Sequence, residues 1–227
     1  MRVGCCGADV RTEMKKDLLL VIDMQNVYGA GGEWCCPNAE NTAKKIKYLL
    51  GFAGGRQKHQ TQSGESMHDT GFAPAEAEDK AFDVIFTQFL ATTEPVGVWK
   101  AYNQENAAIN SDPFANQMMD IFEEDIRRYP IYCKSAYSSL EIPEVKKAVT
   151  ETIERCGSVV LTGVVAECCV LSTAMALIDA GASVVYLTDA VAGISKETEA
   201  ATEMVLAGLE PLHVRRMTVE EYLQVNS

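Results

Sequence analysis

Short runs of apolar, largely β-branched residues recur along the 227-residue chain, separated by segments of helical spacing. This alternation constrains the fold more than any other feature. The runs are Leu18-Leu-Leu-Val-Ile-Asp23, Val84-Ile-Phe-Thr-Gln-Phe89, Ile131-Tyr-Cys133, Ser158-Val-Val-Leu-Thr162 and Ser183-Val-Val-Tyr-Leu187, with His213-Val-Arg215 as a sixth. Runs that are apolar at successive positions belong to strands buried on both faces. Between them, residues 41–53 place Ala43, Ile46, Leu49, Leu50 and Ala53 on one side, with Lys44, Lys45 and Lys47 beside them. Helices also fit 143–155, with proline in the first turn, 168–180, closed by Gly181, and 196–206, closed by Gly208. The pattern predicts an α/β fold: a three-layer αβα, Rossmann-like arrangement around a six-stranded, mostly parallel sheet. The length fits a single domain over 1–227. Residues 54–79, rich in Gly, Ser, Gln and acids, read as a loop or insertion.

Composition narrows the function classes. With 20 Lys+Arg against 32 Asp+Glu, the net charge of −12 speaks against nucleic acid and anionic membrane as general partners. Glu167 and Asp179 interrupt the longest apolar stretches, so none is long enough to span a bilayer. Charged residues throughout 1–16 do not make a signal peptide. Six of the eight cysteines fall in doublets at 5–6, 35–36 and 168–169, which is not the Cys-x-x-Cys spacing of zinc or redox sites. A cytoplasmic protein with reduced thiols is expected. The three histidines, His59, His68 and His213, are too scattered to predict a metal site, and no Gly-x-Gly-x-x-Gly follows the first strand.

Ligands of such sheets bind outside the carboxyl ends of the strands, so polar residues that end apolar runs are the first candidates. Asp23 ends the first run, Lys134 follows the third, and Cys168-Cys169 opens a helix after the fourth. A cysteine at a helix N-terminus has its thiolate stabilised by the dipole and by unpaired N–H groups, and a nearby ammonium lowers its pKa further. Each residue alone also has a plain structural reading: a helix N-cap for Asp23, a solvated Lys134, two small thiols packed in the core. Together they supply a carboxylate base, a cation and a nucleophile, the roles acyl transfer requires.

Three blocks, Val21-Ile-Asp-Met-Gln-Asn26, Lys134-Ser-Ala-Tyr-Ser138 and Leu161-Thr-Gly-Val-Val-Ala-Glu-Cys-Cys-Val-Leu-Ser-Thr-Ala174, resemble the isochorismatase-like cysteine hydrolase superfamily in order and separation. That superfamily includes nicotinamidases, N-carbamoylsarcosine amidohydrolases and ureidoacrylate hydrolases. The resemblance spans about residues 18 to 212. It implies a catalytic Asp23, Lys134 and Cys169, with Cys168 at a variable position. It also implies a cis peptide at Val164–Val165 and an oxyanion hole formed by the Val165 and Cys169 N–H groups. Tyr28, Trp99 and Tyr137 are candidates for the walls of the substrate pocket. Glu167, in the helix's first turn, is not assigned a catalytic role.

Where nicotinamidases carry an Asp-x-His metal motif, this chain reads Phe86-Thr-Gln-Phe-Leu-Ala-Thr-Thr-Glu-Pro-Val-Gly-Val-Trp99. The resemblance is therefore to a metal-free amidohydrolase branch that uses no cofactor. The implied activity is cleavage of the C–N bond of a small carboxamide or ureido compound through a thioester, releasing ammonia or an amine, by a homodimer or homotetramer. The alternatives are vinyl-ether hydrolysis of an isochorismate-like acid and a non-enzymatic thiol redox protein.

Overall fold

In the computed structural model, residues 15–53 and 82–226 are described. The expected loop at 54–79, with His59 and His68, and the Cys5-Cys6 doublet lie outside them. β1 (Asp17–Ile22) is buried along its whole length and runs down the middle of the sheet. On one side it pairs with β2 (Phe82–Phe89), and β2 pairs with β3 (Ile131–Lys134). On the other it pairs with β4 (Ser158–Val164), which is followed outward by β5 (Ser183–Ala192) and β6 (Val214–Met217). The order is β3-β2-β1-β4-β5-β6. Every pairing is parallel, where the sequence reading allowed a mixed sheet.

The uninterrupted apolar character of β1 is explained by the two layers it feeds. Leu19 and Val21 pack with Ile46, Leu49 and Leu50 of α1 (Ala39–Ala53) on one face. Leu18, Leu20 and Ile22 pack on the other, with Val145 and Val149 of the helix Pro143–Glu154 (α6) and Ala174 and Leu177 of the helix Leu171–Asp179 (α7). Each such leucine contributes about 1.5–3 kcal/mol by burial, so a register slip in β1 would be costly on both faces.

Several element boundaries differ from the sequence expectation. Lys134 is the last residue of β3 rather than the one after it. β5 runs five residues past the expected Leu187, and its register with β4 shifts between Leu161 and Gly163. The segment expected to start a helix at Cys168 is a π-helical turn, Ala166–Val170, and the α-helix begins only at Leu171. Between β2 and β3 the chain also forms short helices that weak periodicity hid: α2 (Trp99–Glu105), α3 (Ala107–Asn110), α4 (Pro113–Asn116) and α5 (Glu123–Arg128). Two more helices lie near the C-terminus: α8 (Lys196–Ala207), which was expected, and α9 (Val219–Val225), which was not.

The strand order reverses between β1 and β4, so a crevice opens where these strands end. Gly163 makes that approach possible. Its φ is +105°, and a Cβ there would sit 2.0 Å from the Ile22 carbonyl oxygen. Gly163→Ala is expected to destabilise the protein by about 3 kcal/mol or more. Thermal unfolding would show it, and an unchanged midpoint would mean that β1 and β4 can separate freely.

Candidate active site

Asp23 follows the last residue of β1 with φ at 51° and is wholly buried. Its N–H donates to the Thr87 carbonyl at 3.1 Å, and its Oδ1 accepts from the Thr87 hydroxyl at 2.8 Å. These bonds orient the carboxylate from β2 and overturn the N-cap reading. The short 3₁₀ turn that follows, Asn26–Tyr28, is instead preceded by Gln25, whose side chain does not cap it. Gln25 Nε2 donates to the carbonyls of Phe89 and Asn116, and its Oε1 accepts from the Phe89 N–H, tying the ends of β1 and β2 together.

Lys134 reaches from the edge strand across the end of β2. Its Nζ lies 5.3 Å from the centre of the Phe89 ring and donates to Asp23 Oδ2 at 2.6 Å, to Cys169 Sγ at 3.3 Å and to the Ala136 carbonyl at 3.1 Å. The lysine and aspartate side chains have no solvent exposure, so Lys134 is not a solvated surface residue. Burial drives its pKa down. The charge of Asp23 and the neighbouring Cys169 more than offset this, and the net direction is up, so the group is an ammonium.

Cys169 is buried inside the π-helical turn. The Val165 carbonyl accepts from the N–H groups of Cys168 and Val170 at 3.1 Å each, and Cys169 N–H, between them, makes no such bond. π turns recur at functional sites. The Val164–Val165 peptide is cis.

The sequence expectation of a lowered thiol pKa is corrected here. Burial, and then Asp23, push the Cys169 thiol well above its ordinary value, while Lys134 pulls less strongly the other way. At rest the sulfur holds its proton, with a carboxylate within hydrogen-bond reach to take it.

Above this trio is a cleft of about 180 Å³, walled by the rings of Tyr28, Trp34, Phe89, Tyr102 and Tyr137. Val165, Ile194 and both thiols of the Cys168-Cys169 pair complete it. Trp34, Phe89, Tyr102 and Ile194 are not among the three wall candidates from sequence, although Tyr102 lies in the segment whose resemblance to metal-free relatives implies that it caps the pocket. Trp99 does not line the cleft. It stands behind the wall, edge-on to Tyr102 at 5.2 Å and to Tyr137 at 5.1 Å. Burial pushes the Tyr28 phenol well up, so it is neutral. A larger hollow of about 470 Å³ beside β3 is lined by Lys134, Glu141 and Glu144 but by neither Asp23 nor Cys169.

The isochorismatase domain family matches the chain over residues 17–216. Among solved structures, the chain is similar to an isochorismatase-like hydrolase from Alkaliphilus metalliredigens, with 20% identity over 93% of this chain and 99% of that one and a TM-score of 0.64. It is similar to a cysteine hydrolase from Pseudomonas syringae pv. phaseolicola 1448A, with 15% identity over 93% and 92% of the two chains and a TM-score of 0.66. A pyrazinamidase from Pyrococcus horikoshii in complex with zinc shares 19% identity over 89% and 99%, with a TM-score of 0.59. At such identities the likeness carries the fold. No curated protein sequence matches significantly. Among the described residues here, no group of three or more His, Cys, Asp or Glu is placed to hold a metal ion, so they do not fit a zinc site.

Proposed function

The chain belongs to the isochorismatase family, and we propose that within it the protein is a metal-independent cysteine hydrolase that cleaves the C–N bond of a small carboxamide or ureido compound. One observation carries this reading. A buried carboxylate, an ammonium and a thiol meet within hydrogen-bond reach, with Lys134 Nζ 2.6 Å from Asp23 and 3.3 Å from Cys169, and the thiol borders a ring-walled cleft.

The geometry supports an order of events. Asp23 takes the Cys169 proton, and Lys134 offsets the charge that passes from carboxylate to sulfur. The thiolate adds to the substrate carbonyl, and the N–H groups of Val165 and Cys169 hold the oxygen of the tetrahedral intermediate. Collapse breaks the C–N bond as Asp23 returns the proton to the departing nitrogen, leaving a thioester and free ammonia or amine. Water, deprotonated by the same carboxylate, then adds to the thioester and releases the acid and the thiol.

Thr87 belongs to this machinery as a positioning residue, because its hydroxyl fixes the oxygen of Asp23 that Lys134 does not hold. Vinyl-ether cleavage of an isochorismate-like acid is less well supported. Such a substrate brings carboxylates, and Lys134, the ammonium beneath the cleft, is already paired with Asp23.

The direct test is ammonia release from a panel of small amides and ureido compounds, with and without a chelator. Turnover of at least one of them, unaffected by chelation, is expected. Loss of that turnover on chelation, restored by added zinc, would contradict the metal-independent reading, and isochorismate hydrolysis without any amide turnover would replace the amide reading altogether.

A further inference from the structure

Glu167 occupies the nucleophile's turn, two residues before Cys169, but its side chain points away from the reacting groups. Oε1 accepts a hydrogen bond from the Ile194 N–H at 3.2 Å, across 27 residues of chain. Oε2 is buried and has no hydrogen-bond partner among the described residues. A Cβ on Gly193 would lie 2.6 Å from that same oxygen, so the carboxylate fills the space a side chain would take.

The dipole of a first helical turn explains an acid at this position. It does not explain a side chain that crosses to another loop, or a buried oxygen left unpaired, which costs stability. The loop it reaches carries Ile194, which with Val165 supplies the aliphatic part of a cleft faced mainly by rings. On its far side the loop is held by Gly193 N–H donating to Glu199 Oε1 at 3.0 Å, within α8. Ile194 remains 46% exposed, so packing alone does not hold it in place.

We infer that Glu167 is a positioning residue that clamps the Gly193–Ile194 loop to the nucleophile's turn and thereby sets how wide an acyl group the cleft admits. The inference rests on the hydrolase reading for its kinetic consequence, but its geometric part can be tested without turnover.

The test compares alkylation of Cys169 by iodoacetamide and by the wider N-phenyl iodoacetamide, read by mass spectrometry of the modified peptide in a Cys168→Ser background. The wild type should favour the narrow reagent. Glu167→Ala frees the loop, and Glu167→Asp retracts the carboxylate by one methylene, so both should shrink that preference by roughly fivefold, the worth of one hydrogen bond. Glu167→Gln retains an acceptor for the Ile194 N–H and should keep the wild-type preference. An unchanged ratio in the Ala and Asp variants overturns the clamp. So does a Gln variant that behaves like Ala, because charge rather than the tether would then be responsible. With any amide that is turned over, Glu167→Ala should raise KM several-fold and leave kcat within twofold. Absence of turnover in the wild type would sink the hydrolase reading, while the alkylation ratio still decides the clamp.

Discussion

Cys169→Ala should lower amide turnover by about 10⁴-fold or more, while Cys168→Ala should stay within about tenfold of the wild type. The two thiols are neighbours and both border the cleft, but they stand in different surroundings. Cys169 is buried and accepts from the Lys134 ammonium at 3.3 Å. Cys168 is half-buried, and its thiol is raised by burial and by Glu167, with neither Asp23 nor Lys134 acting on it. Only Cys169 can hand its proton to a carboxylate that a cation steadies. Either substitution removes one sulfur atom from a partly or fully buried site, which costs on the order of 1 kcal/mol. Thermal unfolding should therefore separate lost chemistry from lost fold. The reverse outcome, a dead Cys168→Ala and an active Cys169→Ala, would move the nucleophile one residue and leave the Asp23–Lys134 pair without a role in catalysis.

What could be read from the sequence was whatever depends on a strand's own residues. The Leu-Leu-Leu-Val-Ile run predicts a strand covered on both faces, because no alternating pattern would leave one face for solvent. Asp23, Lys134 and the Cys168-Cys169 pair stand out because each ends or follows such a run, and in a parallel sheet those ends share an edge; the choice of Cys169 within the pair rests on the family resemblance alone. What could not be read depends on how distant segments pack. Trp34, Tyr102 and Ile194 reach the cleft from three separate loops or short helices, and no local spacing connects them. Trp99 has the right residue type in the right segment but stands one ring behind the wall. The π turn is a single irregular turn, too short to leave a period in the sequence. The direction of the Cys169 shift is the clearest case. The sequence provides the cation and the helix start, which favour a thiolate, but not the full burial and the approach of Asp23, which outweigh them.

That balance leads to the second large effect. Asp23→Asn should give a protein nearly inactive as a hydrolase yet more reactive as a thiol. Asparagine keeps the shape of the side chain and an oxygen for the Thr87 hydroxyl, but it cannot accept the Cys169 proton or deliver one to the leaving nitrogen. Turnover should fall by about 10² to 10⁴-fold. The substitution also removes the charge that, after burial, does most to keep the proton on sulfur, while Lys134 stays 3.3 Å away and still pulls the other way. The thiol pKa therefore falls, and the rate of Cys169 alkylation by iodoacetamide should rise with pH at lower values than in the wild type, where it rises only above the ordinary thiol range. Breaking a buried ion pair typically costs about 3–5 kcal/mol. Here the loss should be smaller above the new thiol pKa, because a thiolate takes the place of the carboxylate as partner to Lys134. A plot of alkylation rate against pH for the two proteins, set beside their melting curves, examines both halves of the argument. If Asp23→Asn slows alkylation along with turnover, Asp23 is not the group that holds the proton on sulfur, and the base must be sought elsewhere in the cleft.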